Sequence, residues 1–305
     1  SRLPNSSNLH PTKNRMITIR EAACIQGFPL DFEFNSKNSV AVKQIGNAVP
    51  PILARFVARC VKDDIINKNT LDLFSGVGGQ ACGFAQEGFN IIVSNELDSK
   101  IANENQKYHS SANTTFICGD ICDKHVKQQI HDKLCETSIG LVIGGPPCQG
   151  FSLAGKRDHS DTRNKLYLTY FEMIKKYDPE CFVMENVKGI LSMKNEDGTL
   201  VINEIKTLIE NIGYKYSLFK LNACDFAVPQ KRERIFIIGH KTKKYSQPEP
   251  IIRKEKHITI RDAIHFLSDS VEDTLVQLDE TVLSNSYIKY LANTTSLQEL
   301  YKSYS

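Results

Sequence analysis

Short apolar runs alternate with helical stretches through the centre of the chain, and this alternation constrains the fold more than any other feature. The runs lie near residues 70–74, 90–96, 114–120, 139–145 and 180–185. Strands separated by helices predict a parallel sheet covered on both faces. Two further runs, 214–222 and 234–239, are joined by a loop too short for a helical crossover, so antiparallel pairing is expected. The sequence therefore predicts an α/β fold with a mostly parallel, seven-stranded sheet that ends in an antiparallel hairpin.

The start of the sequence predicts two helices. Thr18 followed by Glu21 has the spacing of a capping box, so a short helix is expected to begin there and to stop at Gly27. Residues 44–51 predict a turn into a second helix. Apolar residues between positions 52 and 61 recur at helical spacing and predict its buried face.

The composition of the 305-residue chain is that of an ordinary soluble globular protein, with 41% hydrophobic and 24% charged residues. No apolar run approaches the ~20 residues of a membrane span, and a formal charge of +3 is too weak to indicate a partner. The nine cysteines are scattered, and the closest pair, Cys118 and Cys122, has no second pair at zinc spacing. A reducing cytoplasm and no metal site are therefore expected.

Cys148 follows the strand with the clearest stop signals in the sequence. The apolar run from Ile139 to Ile143 leads into two glycines, which permit a tight turn, and then into Pro146 and Pro147, which end any regular ladder. The thiol is therefore expected at the carboxyl edge of the sheet, where open α/β folds bind ligands. A thiol placed there can act as a nucleophile. From these residues alone, it is equally well one of nine cysteines that fills space.

The first strand-to-helix turn contains a glycine pattern, in which Gly76, Gly78 and Ala81 satisfy the G-x-G-x-x-[GA] spacing. Such glycines let a ligand approach the backbone, and the start of the following helix favours polar or anionic groups. Glu96 ends the second strand about 20 residues later, where a carboxylate can accept both hydroxyls of a ribose, and Asp120 ends the third. A tight structural turn explains the glycines alone equally well, but three such strand ends favour an adenosine site.

Charged residues also mark the ends of the last strands. Glu185 ends the fifth strand, beside the strand of Cys148 if the sheet is wound in order, and an apolar setting is expected to raise its pKa so that it can donate a proton. Helix capping or ion pairing is the plainer interpretation. Arg232 and Arg234 lie on one face by alternation, where they could hold a phosphate or a base carbonyl. A charged strand start that faces solvent explains them almost as well.

Together these motifs resemble those of the DNA cytosine-5 methyltransferase family, of the type found in bacterial restriction-modification systems. The matching segments cover most of residues 15–239 and read DLFSGVGG, NELD, GDI, GGPPCQGFS, ENVKG, VPQKRER, TIREAACIQGFP and QIGNAVPP. The Pro-Cys-Gln loop is the most specific of them. The resemblance implies a Rossmann-like fold that uses S-adenosylmethionine, releases S-adenosylhomocysteine and requires no metal.

The resemblance also implies roles for individual residues. The implied catalytic residues are Cys148, Glu185, Arg232 and Arg234. The residues implied to contact DNA are Gln149, Ser152 and Gln230. Those implied to bind S-adenosylmethionine are Phe74, Gly76, Gly78, Glu96, Leu97, Asp120, Ile121, Pro147, Leu166, Asn47, Ala48 and Val49.

The implied reaction explains why these residue types are needed. Carbon 5 of cytosine is a poor nucleophile, and attack of the Cys148 thiolate on carbon 6 makes it reactive. Glu185 would protonate or hydrogen-bond N3, and Arg234 would hold the base carbonyl. Because the base lies inside the duplex stack, it would first be flipped into the pocket.

The order of the motifs departs from that of typical family members, in which the TIREA and GNAVPP segments come last. Here they come first, which implies a circularly permuted chain. Residues 1–62 would carry these motifs, residues 63–240 would form the catalytic domain, and residues 241–305 would begin a target-recognition region. One short helix is expected within 258–267, and the other residues there have weak periodicity. Residues 241–305 are few for a complete target-recognition region. The chain could be truncated, a partner subunit could supply the remainder, or the region could recognise DNA in a compact form. A missing or separately supplied portion is favoured.

The expected partners are double-stranded DNA, a second polypeptide that completes recognition, and a cognate restriction endonuclease, with no membrane. The protein is expected in the cytoplasm, at the nucleoid when on DNA. A transfer RNA methyltransferase is the nearest alternative, but its Pro-Pro-Cys loop continues differently from the Gln-Gly-Phe-Ser found here. A non-catalytic DNA-binding subunit would not need all the implied catalytic residues. A nicotinamide dehydrogenase, suggested only by the glycine turn, leaves the cysteine loop unexplained.

Overall fold

The strands predicted in the centre of the chain are present in the computed structural model, which describes residues 9–34, 38–102, 113–147, 166–195, 197–267 and 285–304. Their bounds are β1 (Asn69–Leu73), β2 (Asn90–Glu96), β3 (Thr115–Cys118), β4 (Leu141–Gly144), β5 (Cys181–Val187), β6 (Lys215–Asn222) and β7 (Glu233–His240). Within these described residues they form one sheet in the order β3-β2-β1-β4-β5-β7-β6. The predicted seven-stranded α/β sheet is confirmed.

Strand direction follows the predicted pattern. The pairs from β3 through β5 are parallel, and β7 is antiparallel to both β5 and β6. The expected hairpin is therefore confirmed, and β7 inserts between β5 and β6, so that β6 forms the edge. Because β4 pairs directly with β5, with Ile143 opposite Val183, the strand that leads to Cys148 lies beside the strand that carries Glu185. The winding order expected at this position is confirmed.

Helices cover both faces of the sheet. Their bounds are α1 (Ile19–Gln26), α2 (Asn38–Asn47), α3 (Pro51–Val61), α4 (Gly79–Ala85), α5 (Lys124–Leu134), α6 (Leu166–Tyr177), α7 (Val201–Asn211), α8 (Ile260–Ile264), α9 (Ser286–Leu291) and α10 (Leu297–Tyr304). One face has a core that includes Leu53 of α3 and Phe84 of α4, and the other has a core that includes Ile130 of α5 and Ile205 of α7. No helix in the described part of the chain is long and apolar enough to cross a membrane.

The capping box predicted for the first helix is confirmed at α1. The backbone nitrogen of Glu21 donates to Oγ1 of Thr18 at 3.1 Å, and the backbone nitrogen of Thr18 donates to Oε2 of Glu21 at 2.8 Å. Gly27 ends the helix with a φ of 84°, in the left-handed region that favours glycine. These local bonds explain why this helix could be predicted from a few residues.

The turn predicted over residues 44–51 is shorter than expected, because its first residues belong to α2. The backbone nitrogen of Ala48 still donates to the carbonyl oxygen of Gln44 at 3.0 Å, so helical bonding continues past the Gly-Asn pair. Pro50 is extended (ψ 123°), as is typical before a second proline. The Gly-Asn pair, a common turn signal, made the prediction begin too early.

The C-terminal region contains helices that its weak periodicity did not predict. The short helix expected within residues 258–267 is present as α8, and α9 and α10 follow it. Oη of Tyr287 in α9 donates to the carbonyl oxygen of Cys24 at 2.7 Å, and the backbone nitrogen of Leu30 donates to the carbonyl oxygen of Leu291 at 2.9 Å. The end of the chain therefore packs on its first segment.

Close packing of α3 on α4 depends on Gly83. A Cβ atom at this position would lie 2.5 Å from both the backbone nitrogen of Arg55 and the carbonyl oxygen of Pro51. Because backbone cannot move aside easily, Gly83→Ala is expected to lower the free energy of unfolding by about 1–3 kcal/mol. Gly46→Ala is the matched control, since no atom lies within 4 Å of its Cβ position. Urea denaturation measures both variants, and equal effects would contradict the packing argument.

Candidate active site

The glycine turn lies between β1 and α4 and is held by Glu96. Oε2 of Glu96 accepts a hydrogen bond from the backbone nitrogen of Gly76 at 2.8 Å, and Oε1 accepts one from the backbone nitrogen of Asp98 at 3.1 Å. Gly76 and Gly78 have φ values of 56° and 85°, which explains why glycine is needed at both. Phe74 also has a positive φ, of 55°, although it is not glycine. Such conformations in non-glycine residues cluster at functional sites.

The α2–α3 joint packs directly on the start of α4. A Cβ atom at Gly79 would lie 2.4 Å from the carbonyl oxygen of Val49 and 3.3 Å from Cβ of Ala48. Asn47 precedes them and is exposed. The fold thus places Ala48 and Val49 against the helix that follows the glycine turn, and a role of Asn47 in the cofactor site stays a prediction.

The ends of β2 and β3 lie side by side next to this turn. The backbone nitrogen of Gly119 donates to the carbonyl oxygen of Glu96 at 2.9 Å. Beyond them Asp120 is exposed, and its Oδ1 accepts a hydrogen bond from the backbone nitrogen of Cys122 at 2.8 Å. Leu97 is 66% exposed, whereas Ile121 is buried. An exposed leucine beside a carboxylate gives this edge both apolar and polar surface for a ligand.

Contacts with β1 and β5 hold the end of β4 and the residues that lead toward the predicted nucleophile. At the end of β4 a Cβ atom on Gly144 would lie 2.5 Å from the carbonyl oxygen of Leu73, so β1 and β4 approach closely. The buried side chain of Asn186 donates to the carbonyl oxygen of Pro146 at 3.1 Å and fixes the start of the loop. Pro147 is partly buried.

Three of the predicted residues, Cys148, Gln149 and Ser152, lie outside the described residues. Leu166, another predicted cofactor contact, is the first residue of α6 and is partly buried.

Glu185 and Arg234 form an ion pair at the carboxyl end of β5. Nε of Arg234 lies 2.7 Å from Oε1 of Glu185, and both side chains are mostly buried, with 15% and 13% exposure. The other carboxylate oxygen of Glu185 lies 3.1 Å from the position that a Cβ of Gly145 would take. The ion pair expected by the plainer interpretation is therefore present, and it stands beside the turn that leads to Cys148. The position of Glu185 is therefore compatible both with an ion pair and with a proton donor near the cysteine loop.

Burial shifts the ionisation of this cluster. Burial raises the pKa of Glu185, and the Arg234 and Arg232 guanidiniums oppose part of that rise. Burial also lowers the pKa of Arg232 to about 10, with a further contribution from the charge of Arg234. A carboxyl group with a raised pKa holds its proton more readily, which suits a donor to a ring nitrogen.

A hydrogen-bond chain connects this cluster to the N-terminal motifs. The carbonyl oxygen of Ala48 accepts from Nη2 of Arg232 at 3.1 Å and from Nε2 of Gln26 at 2.7 Å. Oε1 of Gln26 accepts in turn from Nε2 of Gln230 at 2.9 Å. The interpretation in which Arg232 and Arg234 face solvent is therefore wrong, because both guanidiniums have protein partners.

Gln26 was missed by sequence reasoning. It is the last residue of α1 and is buried, with 1% exposure. Its only sequence signal is its place before the helix-ending Gly27, and that signal concerns the helix rather than the site.

The sequence profile of the C-5 cytosine-specific DNA methylase family matches residues 2–63 and 68–305. The chain belongs to this family. Membership confirms the resemblance drawn from the motifs, and methyltransferases of this kind use S-adenosylmethionine as methyl donor. The individual residue roles stay predictions.

Relatives in this family are similar to the chain over about two thirds of its length. Type II methyltransferase M.DdeI of Desulfomicrobium norvegicum is 38% identical over 211 residues, which are 65% of this chain and 48% of that protein. Type II methyltransferase M.AquIA of Picosynechococcus sp. is 41% identical over 193 residues, which are 61% of this chain and 77% of that protein. The chain spans about half the length of several of the curated relatives it matches.

A solved structure supports the fold assignment. The chain resembles a prophage-encoded protein of E. coli, provisionally described as a DNA modification methyltransferase, with a TM-score of 0.54 and 29% identity. The match covers 66% of this chain and 56% of the E. coli protein. The methyltransferase-type α/β fold expected from the motifs is confirmed.

Proposed function

We propose that this chain carries the catalytic region of a DNA cytosine-5 methyltransferase, which transfers a methyl group from S-adenosylmethionine to carbon 5 of a flipped cytosine. The observation that carries the proposal is the position of β4. Its carboxyl end lies between the glycine turn that follows β1 and the Glu185–Arg234 pair at the end of β5. The strand order thus supports a cofactor site and a base site on opposite sides of β4, the strand that leads to Cys148.

The residues of the glycine turn fit S-adenosylmethionine. No atom lies within 4 Å of the position that a Cβ of Gly76 would take, so the turn borders open space that a ligand can enter. Glu96 lies beside this space, and the start of α4 adds backbone N–H groups. Ala48 and Val49 would close the methionine end. When bound, S-adenosylmethionine supplies an electrophilic methyl group on sulfur.

The residues around β4 and β5 would each carry out a different part of the reaction on the cytosine base. The Cys148 thiolate would form a bond to carbon 6 of cytosine, and electron density would move to carbon 5. Glu185 would hold a proton at N3, and Arg234 would stabilise charge on the base carbonyl. After carbon 5 accepts the methyl group, loss of its proton would break the sulfur–carbon bond and regenerate the thiolate. Gln149, Ser152 and Gln230 would contact the DNA around the flipped base.

The cellular setting is part of the same proposal. We infer a cytoplasmic, nucleoid-associated enzyme of a restriction-modification system, whose substrate is double-stranded DNA and whose cognate endonuclease cuts unmethylated sites. The names of the relatives M.DdeI and M.AquIA, both Type II methyltransferases, support this setting.

The permuted order of the chain is also proposed. The family profile matches two separate segments, 2–63 and 68–305, which meet where α3 leads into β1. We infer regions at 1–62, 63–240 and 241–305, the last of them the start of a target-recognition region. A second polypeptide would supply the remainder of that region. Packing of α9 on the N-terminal segment supports a close association of the first and last regions.

The decisive experiment uses duplex DNA that contains 5-fluorocytosine at mixed sites, together with labelled S-adenosylmethionine. Fluorine at carbon 5 blocks the proton loss that releases the enzyme, so the chain is expected to become trapped on DNA as a denaturant-stable, methyl-labelled complex. Cofactor binding without any adduct, even with an added recognition polypeptide, would contradict the proposal and favour a non-catalytic subunit. Covalent trapping of the chain on 5-fluorocytosine-containing transfer RNA, but not on DNA, would favour the RNA-modifying alternative.

Gln26 is expected to act as a positioning residue. Gln26→Ala removes two hydrogen bonds, one to Ala48 and one from Gln230. At about 0.5–1.5 kcal/mol for each bond, kcat/KM for DNA is expected to fall about tenfold or more. Gln128→Ala, which removes an exposed glutamine from α5, is the matched control. Methylation rates at varied DNA concentration measure both variants. Equal activity of the two would contradict the positioning role.

A further inference from the structure

A cysteine, an aspartate and a histidine converge at a place that the proposed methyl transfer does not use. Sγ of Cys224 lies 3.6 Å from Oδ1 of Asp225, and Nε2 of His257 lies 3.0 Å from the same oxygen. All three ligand atoms lie within 4.8 Å of one another. The described residues contain no other cluster of three such ligand atoms.

Backbone contacts hold the histidine over the other two residues. Cys224 and Asp225 lie in a short 3-10 turn, Ala223–Phe226, directly after β6. The carbonyl oxygen of Asp225 accepts hydrogen bonds from the backbone nitrogens of Ile251 (3.1 Å) and Ile252 (3.0 Å). The chain thus crosses this turn just before it reaches His257, so residues distant in sequence are placed together.

The three side chains are sheltered from solvent to different degrees. Cys224 is buried, and the side chains of Asp225 and His257 are 24% and 19% exposed. Nε2 of His257 is itself shielded from solvent, and despite its closeness to Asp225 it makes no well-aligned hydrogen bond within the described residues. Oδ1 of Asp225 thus lies at ion-pair distance from the His257 ring and also accepts from the Cys224 thiol, so the three groups form a donor set that one cation could bridge.

We propose that Cys224, Asp225 and His257 bind a divalent transition-metal ion, with zinc as the best match, and so fasten the segment before α8 to the sheet. Sulfur, imidazole nitrogen and carboxylate oxygen are the three ligand types that zinc takes in proteins. Tetrahedral zinc, with bonds of about 2.0–2.3 Å, holds its ligand atoms about 3.3–3.6 Å apart. The sulfur–oxygen separation of 3.6 Å matches this range, and the nitrogen–oxygen separation of 3.0 Å would have to lengthen slightly. A water molecule would occupy the fourth position.

Binding of the metal ion would release the proton of the Cys224 thiol. A cysteine thiol is mostly protonated at neutral pH when no ion is bound. The incoming ion would form a sulfur–metal bond, and the thiol proton would leave to solvent. The ion changes no oxidation state. None of the residues proposed for methyl transfer belongs to the cluster, so this site is independent of the proposed function.

The test is a titration of the chelator-treated 305-residue chain with Co²⁺, which gives a near-ultraviolet charge-transfer band only when bound to thiolate. A band that saturates at a 1:1 ratio and is displaced by Zn²⁺ is expected. Cys224→Ser is expected to abolish the band, and His257→Ala to weaken binding by more than about tenfold. Cys135→Ser, which removes an exposed cysteine, is the matched control and is expected to retain the band.

Folding of the variants is checked separately, because Cys224 is buried. Circular dichroism is expected to show the wild-type spectrum for His257→Ala, whose side chain is partly exposed. Zn²⁺ is expected to raise the melting temperature of the wild type and of Cys135→Ser, but not that of His257→Ala, because an ion that binds only the folded chain stabilises it. No band in the wild type, a band that persists in Cys224→Ser, or equal affinity in His257→Ala would overturn the proposal.

Discussion

Replacing Cys148 by serine is expected to abolish methyl transfer while S-adenosylmethionine still binds. A serine hydroxyl has almost no anionic form at neutral pH, whereas a thiol supplies a few per cent of a strong nucleophile. Loss of a nucleophile lowers kcat by about 10⁴-fold or more in comparable enzymes. The glycine turn, Glu96 and the start of α4 are unchanged by this substitution, so cofactor affinity should be unchanged. Single-turnover methylation and equilibrium binding of labelled cofactor measure the two quantities.

Cys135→Ser provides the control for this prediction, since Cys135 is exposed and directly follows α5, away from the strand ends that form the site. It is expected to methylate DNA at the wild-type rate. Retained methylation in Cys148→Ser would rule out the covalent mechanism. Loss of cofactor binding in that variant would instead show that residue 148 supports the fold of the site.

Glu185→Gln is expected to lower kcat by about 10²–10⁴-fold, the usual contribution of a general acid or base. The amide keeps the volume of the carboxyl group but cannot donate a carboxylic proton, and it leaves the guanidinium of Arg234 without its anionic partner. Cofactor affinity should change little, because Glu185 lies on β5 and not at the glycine turn. Rapid-quench kinetics with a fixed DNA duplex separates the methyl-transfer step from binding.

The pH profile gives an independent test of this role. The pKa of Glu185 is raised by burial, so its proton is retained at neutral pH more than in an ordinary glutamate. As pH rises through that raised pKa, the donor form is lost, and the wild-type rate is expected to fall. Glu185→Gln has no such titration and is expected to lack this fall. The same fall in both enzymes would contradict the assignment.

Glu87→Gln is the matched control, because Glu87 is also a buried carboxylate paired to an arginine, with Oε1 2.7 Å from Nε of Arg55 and a side chain 6% exposed. Its hydrogen bonds and ion pairs with Lys62 and Arg55 lower its pKa against the opposing effect of burial. The stability contributed by the Glu87–Arg55 pair is therefore present above the unfolded-state pKa of Glu87. It is lost as pH falls through the lowered pKa that Glu87 has in the folded state. The variant is expected to unfold more easily at neutral pH but to methylate DNA normally.

Much of the fold and part of the site followed from the sequence, because their signals are local. A run of apolar residues before Gly144 is enough to predict a buried strand, and the spacing of Thr18 and Glu21 is enough to predict a capped helix. Gly76 and Gly78 were predicted to form a turn, and both have a positive φ. The strand ends of a parallel sheet meet at one edge, so the sequence by itself is enough to group residues that follow different strands.

The tertiary structure alone decided the contacts between distant segments. The carbonyl oxygen of Ala48 bonds Arg232 and Gln26, and a backbone oxygen gives no signal in sequence. Tail helices such as α9 are too short for a clear apolar period, and their packing on the N-terminal segment stabilises them. His257 likewise lies near Cys224 only because residues 251 and 252 hydrogen-bond to the turn that contains Asp225. Local propensity acts over a few residues, whereas these contacts require the complete fold.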